Sequence, residues 1–304
     1  MTVQASSLNP ASAAVIRSGV RRASLRAEPI SPAIGMEVGN IDLTLPLDND
    51  QYAELRGLLL KHKVLVFRDQ DITAAQQVAL ARRFGELEIN PVLPHHPDYP
   101  ELVVLGGDSR TPARENAYHS DVSWRAVPSM GSILRCIECP ATGGDTLWVN
   151  MADAYARLPQ TVRDSLDGLF AVHDIKPGLG MRIASDEREK RLAAFPPAVH
   201  PVVRTHPETG ERILYVNEGF TTHFANFLEK CEFRFGIDFK VAEMDLLQYL
   251  LRQAAVPEYQ MRLKWRPNTI AFWDNRSTQH YAIQDYFPTV RRMLRATVIG
   301  DRPV

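Results

Sequence analysis

Thr269-Ile-Ala-Phe-Trp273 and Ala296-Thr-Val-Ile299 are short β-branched and aromatic runs, too brief for helices. Similar runs recur at Ser132-Ile-Leu134, Thr146-Leu-Trp-Val149 and Ile213-Leu-Tyr-Val216, between Gly and Pro turns. Many short strands from about Ser129 onward predict a mainly β fold, a sandwich or jelly roll, with helical insertions at 152–169 and about 241–254. Towards the N-terminus, Asp48 to Leu60 reads as an amphipathic helix and Lys63-Val-Leu-Val-Phe67 as a buried strand. Thr73 caps a helix running to about Phe84, with Gly85 as its stop, and Val103 to Leu105 is a short strand. Residues 176–195 are charged, carry Gly178 and Gly180, and read as a lid-like insertion with a short helix. No linker divides the chain and no repeat is found, so 28–304 is expected to be a single domain.

Composition narrows the function. The chain has 304 residues, 45% hydrophobic and 23% charged, enough apolar material for a sizeable core. Lys plus Arg number 35 and Asp plus Glu 36, an even balance that argues against nucleic acid or an anionic membrane as the main partner. No run of 18 apolar residues occurs, which excludes a spanning helix. Three cysteines do not make a disulfide scaffold and suit a reducing, cytoplasmic setting. Cys136 and Cys139 form a C-x-x-C within a strand-like alternation, with no second pair at zinc spacing, and read as structural thiols. Residues 1 to about 27 are rich in Ala, Ser and Arg, and Glu28 is the first acid. The expectation is a disordered extension, with an organellar targeting segment as the alternative.

The chemistry concentrates at two places. In Tyr118-His119-Ser120-Asp121, His119 and Asp121 leave the same face of an extended segment. With His280 they make two imidazoles and one carboxylate, a facial set that leaves room for co-substrates, as in non-haem Fe(II) oxygenases. Downstream, Arg291 and Arg295 share a strand face with Met293, while Arg292 points to the other side. Arginines inside a β fold call for anions, onto which each guanidinium forks. Spacing alone leaves this reading level with that of two exposed strand arginines. His95 and His96 read as surface residues and His200 and His206 as structural hydrogen-bonders, with His173 and His223 as candidates to line a pocket.

His119-Ser-Asp121, Gly143-Gly-Asp-Thr-Leu-Trp148, Trp273-Asp-Asn-Arg276, Gln279-His280-Tyr-Ala282 and Arg291-Arg-Met-Leu-Arg295 together resemble the taurine dioxygenase/2,4-D dioxygenase family of Fe(II)/2-oxoglutarate oxygenases. The likeness runs from about Pro29 to Pro303 and includes Arg83-Phe-Gly-Glu86 and Tyr215-Val-Asn-Glu-Gly-Phe-Thr-Thr222. It implies a double-stranded β-helix (jelly-roll) core. It implies Fe(II) on His119, Asp121 and His280, with 2-oxoglutarate and O2 as co-substrates. Arg291 and Thr146 would bind 2-oxoglutarate, and Arg295 the anionic end of a small primary substrate. The iron centre is then the catalyst, with no separate acid or base residue, and succinate and CO2 are co-products. The remaining implied partners are copies of the chain itself, a dimer or tetramer.

The substrate pocket departs from the taurine-type pattern. Asn90 stands where a histidine is expected, Leu93 where a tyrosine is, and Glu115 where an asparagine is, while Phe220 is kept as an apolar wall. Asn90 can hydrogen-bond a sulfonate and Leu93 cannot; Glu115 is either a partner for a substrate cation or a solvated loop residue. The pattern points beyond taurine, to a larger alkanesulfonate releasing sulfite and aldehyde, or to a sulfate ester or aryloxy acid. A zinc hydrolase on the same triad lacks an evident general base and leaves Arg291 unexplained. A non-catalytic metal-binding jelly roll leaves both arginines unexplained.

Overall fold

The computed structural model describes residues 24–107, 110, 117–179, 185–230 and 237–304. In chain order they form β1 (Arg26–Pro29), β2 (Met36–Gly39), α1 (Asn49–His62), β3 (Val64–Phe67), α2 (Ala74–Arg82), β4 (Leu102–Gly107), β5 (Ser129–Glu138) and β6 (Thr146–Asn150). Then follow α3 (Met151–Ala156), α4 (Gln160–Leu166), β7 (Phe170–His173), α5 (Lys176–Leu179), α6 (Ser185–Ala194), β8 (Ala198–Pro201), β9 (Val203–Thr205), β10 (Arg212–Leu214) and β11 (Thr221–Phe224). The chain closes with α7 (Ile237–Leu251), β12 (Gln260–Leu263), β13 (Ile270–Asp274), β14 (Thr278–Ala282) and β15 (Arg291–Ile299).

Seven strands make the main sheet in the order β1-β2-β3-β13-β5-β15-β4, antiparallel throughout except β2 beside β3. Because side chains alternate along a strand, this sheet feeds two cores. Leu65, Phe67, Ile133, Ile270, Phe272, Leu294, Ala296 and Val298 face outward, under Leu55 and Leu59 of α1 and Val78 and Ala81 of α2. Val64, Val66, Leu134, Ala271, Trp273 and Met293 face inward, against Trp148, Met261, Leu263 and Trp265. Trp148, Met261 and Leu263 lie on a three-stranded sheet, β12-β6-β14. Burial on both faces explains why Val64-Leu-Val-Phe67 is apolar without alternation. A third sheet, β11-β7-β8, packs with α3, α4 and α7 over a separate core centred on Val149, Ala171, Val202 and Leu250.

Asp48 and Thr73 cap α1 and α2 through reciprocal bonds with Gln51 and Gln76, the capping-box arrangement. Three sequence expectations need correction. The 152–169 insertion is two helices, because Pro159 starts a new one at α4. The 176–195 insertion holds α5 and α6 rather than one short helix. Arg26 and Ala27, assigned to the extension, pair with Gly39 and Val38 in β1–β2; the extension's residues 1–23 lie outside the described residues.

Phe272 is buried on the outward face and meets the Phe84 ring edge-on at 4.6 Å. Phe272→Ala should cost about 3–5 kcal/mol of stability, read as a lower urea midpoint. Metal affinity should be unchanged, because the inward face is untouched.

Candidate metal centre

Two backbone hydrogen bonds create the site. His119 N–H donates to the His280 carbonyl at 3.1 Å, and His280 N–H returns one to His119 at 2.9 Å. This reciprocal pair ties the segment after β4 to β14 and sets the imidazole centroids 4.2 Å apart. Asp121, two residues on, is fixed by Asn275: its N–H donates to Asn275 Oδ1 at 2.7 Å, and Asn275 Nδ2 donates to its carbonyl at 3.0 Å. Val122 then turns the chain at φ 48°, a left-handed conformation that costs a β-branched residue on the order of 1–3 kcal/mol.

Ligand atoms of His119, Asp121 and His280 lie within 4.8 Å of one another. Asp121 Oδ1 is 3.8 Å from His119 Nε2 and 3.9 Å from His280 Nε2. Two imidazoles and one carboxylate converging in this way are a donor set that suits a divalent metal and leaves coordination positions for co-substrates. His119 Nδ1 sits 2.9 Å from the Ala117 carbonyl, which requires an N–H there and leaves Nε2 the lone pair for a metal. Burial pushes the His280 imidazole down to about 3, so it too is a neutral ligand near pH 7. Burial is the largest influence on the Asp121 carboxyl and would raise it, but the Arg295 guanidinium, the two imidazoles and the Ser132 hydroxyl together outweigh it and hold the group at about 2. Ser132 Oγ donates to the other oxygen, Oδ2, at 3.1 Å.

Both arginines point inward with Met293, 7% and 6% exposed, and the surface reading of them is excluded. Arg291 Nε donates to the Gly144 carbonyl at 3.1 Å, and its Nη2 lies 3.5 Å from Thr146 Oγ1. Its guanidinium sits near the faces of Trp265 and Tyr286, at 5.9 and 6.0 Å. Arg295 Nη1 donates to Asp121 Oδ1 at 2.6 Å, so this arginine touches a metal ligand. Arg292 is exposed, on the opposite face.

The pocket residues divide. Phe220 meets the His119 ring edge-on at 6.0 Å and packs with Val122, Trp124, Ile175, Val92, and Leu192 and Phe195 of the α6 region. Val92 supplies the apolar wall expected of Leu93, which is half-buried and not part of that cluster. Asn90 is buried, and its Oδ1 accepts the Val92 and Leu93 amides at 3.0 and 3.1 Å. Glu115 lies outside the described residues. His223 is exposed, and His173 is wholly buried between Ser123 and Thr221. His200 Nε2–H donates to the Ser123 and Arg125 carbonyls, and His206 Nε2 lies 3.0 Å from the Asp274 carboxylate, the structural roles expected. His95 and His96 are half-buried rather than on the surface.

Sequence reading missed several residues. Asn275 lay inside a quoted motif, but nothing in Trp273-Asp-Asn-Arg276 says that its amide reaches Asp121. Buried Glu88, paired with Arg125 at 2.9 Å and close to Arg295, gave no signal in an irregular stretch. Trp265, whose Nε1 donates to Thr146 Oγ1 at 2.9 Å, was not singled out in the sequence.

A family model described as "Taurine catabolism dioxygenase TauD, TfdA family" matches residues 26–297. The chain belongs to the TauD, TfdA family. It is 32% identical to an alpha-ketoglutarate-dependent sulfate ester dioxygenase of Pseudomonas putida, over 92% of this chain and 91% of the relative. It is 32% identical to an alkylsulfatase of Acinetobacter baylyi, over 91% and 86%. A crystal structure of a taurine dioxygenase from Burkholderia xenovorans superposes with a TM-score of 0.77 at 35% identity, over 93% and 91%. As a TauD, TfdA-family member the protein is an α-ketoglutarate-dependent dioxygenase that uses Fe(II), 2-oxoglutarate and O2. Its His-Asp-His cluster is a donor set that suits Fe(II). Among the described residues no helix is long and apolar enough to cross a membrane.

Two outcomes follow from the site. A Cβ at Gly219 would stand 2.8 Å from His119 Cβ. Gly219→Ala should displace that ligand and weaken Fe(II) binding by about 10- to 100-fold, measurable by anaerobic metal titration. His173 and His280 are both held near 3 by burial, below the unfolded value of 6.5. The unfolded state therefore binds more protons below pH 6.5, and metal-free stability should fall as pH drops. The loss is about 2 kcal/mol per histidine at pH 5. A metal-free Tm that is flat from pH 7 to 5 would contradict the burial argument.

Proposed function

We propose that this dioxygenase hydroxylates a small organic anion with an alkyl or aryl body, a sulfonate or sulfate ester, at the carbon bearing the heteroatom. The observation that carries this reading is that the triad touches both a buried guanidinium, Arg295 on Asp121, and an apolar cluster of Phe220, Val92, Trp124 and Phe195, whose Phe220 meets the His119 ring. The fold proposed is the double-stranded β-helix, supported by a seven-stranded sheet facing β12-β6-β14 with the ligands between them.

In this reading His119, Asp121 and His280 hold Fe(II). With 2-oxoglutarate and O2 the metal supplies the oxidation of a substrate C–H bond, giving succinate and CO2. Arg291 grips the distal carboxylate of 2-oxoglutarate, directed by the Gly144 carbonyl, and Thr146 adds its hydroxyl. Arg295 reads the substrate anion beside Asp121, so the anion is held at the edge of the metal centre. Asn90 has spent its Oδ1 on two backbone amides and has its NH2 donors left, which suit an anion. The apolar cluster excludes water and takes the substrate body. The hydroxylated product is unstable and loses sulfite or sulfate with an aldehyde. A cytoplasmic location is part of the proposal, supported by the free Cys136 and Cys139, and so is assembly as a dimer or tetramer.

Fe(II)-dependent succinate release over a set of anions tests the reading. A longer alkanesulfonate or alkyl sulfate should exceed taurine in kcat/KM by roughly two to three orders of magnitude, at about 0.8 kcal/mol per buried methylene. Taurine as the best substrate would overturn the assignment of the apolar wall. Arg291→Ala should raise the KM for 2-oxoglutarate with every substrate, and Arg295→Ala the KM for the primary substrate; identical kinetic profiles would refute the division of labour.

A further inference from the structure

We propose that Trp265 is a positioning residue for 2-oxoglutarate, acting through the Thr146 hydroxyl; the inference rests on the co-substrate site described above. Trp265 lies just beyond β12, whose Leu263 pairs with Thr146 of β6. The indole and the hydroxyl are both buried, and Nε1 donates to Thr146 Oγ1 at 2.9 Å. A hydroxyl has one proton to give and two lone pairs to receive. Indole N–H is a donor only, and so is the Arg291 guanidinium that approaches the same oxygen at 3.5 Å. Both neighbours therefore occupy the accepting side of Oγ1, and the proton is directed away from them.

That leaves Thr146 fixed as a donor beside the guanidinium of Arg291. A carboxylate forked onto Arg291 then meets a further O–H aimed at it, with no reorientation needed on binding. The same indole presents its face to Arg291 at 5.9 Å, while the Gly144 carbonyl takes Nε. One side chain thus sets the polarity of the hydroxyl and walls the guanidinium. Without the indole N–H, Thr146 is free to accept from Arg291 or to turn, and the third donor is no longer preset.

The test is equilibrium titration of 2-oxoglutarate into the Fe(II)-loaded protein without oxygen. Trp265→Phe keeps an aromatic face and removes the donor; it should weaken 2-oxoglutarate by about five- to tenfold, the loss of roughly one hydrogen bond. Fe(II) affinity and the KM for the primary substrate should stay as in the parent protein. Thr146→Val should give a similar loss, and the double variant should bind no worse than Thr146→Val alone. Trp265→His, which retains a ring N–H, should keep more affinity than Trp265→Phe. Unchanged binding in Trp265→Phe, additive losses in the double variant, or Trp265→His binding more weakly than Trp265→Phe would each overturn the proposal. Failure of the parent protein to bind 2-oxoglutarate at all would instead overturn the co-substrate site itself.

Discussion

The paired backbone hydrogen bonds between His119 and His280 are the constraint on which the rest of the site depends. They join two segments far apart in the chain, and only the completed sheets bring them together. Because the pairing is reciprocal, the two imidazoles must leave the same side of the ladder as near neighbours. Two neutral rings 4.2 Å apart gain little from each other. What they gain is a shared direction toward Asp121 Oδ1. That carboxylate comes from an irregular turn rather than a strand, and the cost of the left-handed Val122 falls at this turn. Asn275 holds it there with bonds to both the N–H and the carbonyl of Asp121.

Around this pair the interior accepts charges that an ordinary β core would exclude. Each guanidinium is directed by a different means. Arg291 is directed by a backbone carbonyl and two aromatic faces. Arg295 is set by the metal-binding carboxylate itself. Binding at Arg295 and at the metal is therefore coupled through a single oxygen, Asp121 Oδ1.

Legibility in the sequence followed the regularity of the backbone. Arg291, Met293 and Arg295 could be placed on one face because a strand has period 2, and the inward face is where they lie. The helix cap at Thr73 was legible because capping is a local interaction. In 89–95, where Pro91 and Pro94 interrupt any period, the side-chain direction had no such rule, and Val92 rather than Leu93 faces the apolar cluster. Asn275, Glu88 and Trp265 act through polar side-chain atoms whose partners are remote in sequence, so no local pattern marks them. Ala, Ser and Arg composition at the N-terminus hid β1, whose Arg26 and Ala27 join the sheet through backbone bonds that composition does not report.

The apolar cluster decides how selective such a site can be. Anion recognition by a guanidinium distinguishes charge and shape but little of the substrate beyond its charged end. Discrimination among sulfonates, sulfate esters and carboxylates of different bodies must come from what surrounds that end. Here the cluster draws on Val122 and Trp124 beside Asp121, Phe220 against the His119 ring, Ile175 after β7, Val92 on the preceding loop, and Leu192 and Phe195 from the inserted helix region. Val122, Trp124 and Phe220 stand next to metal ligands and cannot move without disturbing them. Val92, Leu192 and Phe195 lie outside the main sheet, where changes in volume leave the ligand geometry alone. In the proposed reading the substrate body would meet these more variable side chains, so that one scaffold could serve several anions with the same chemistry.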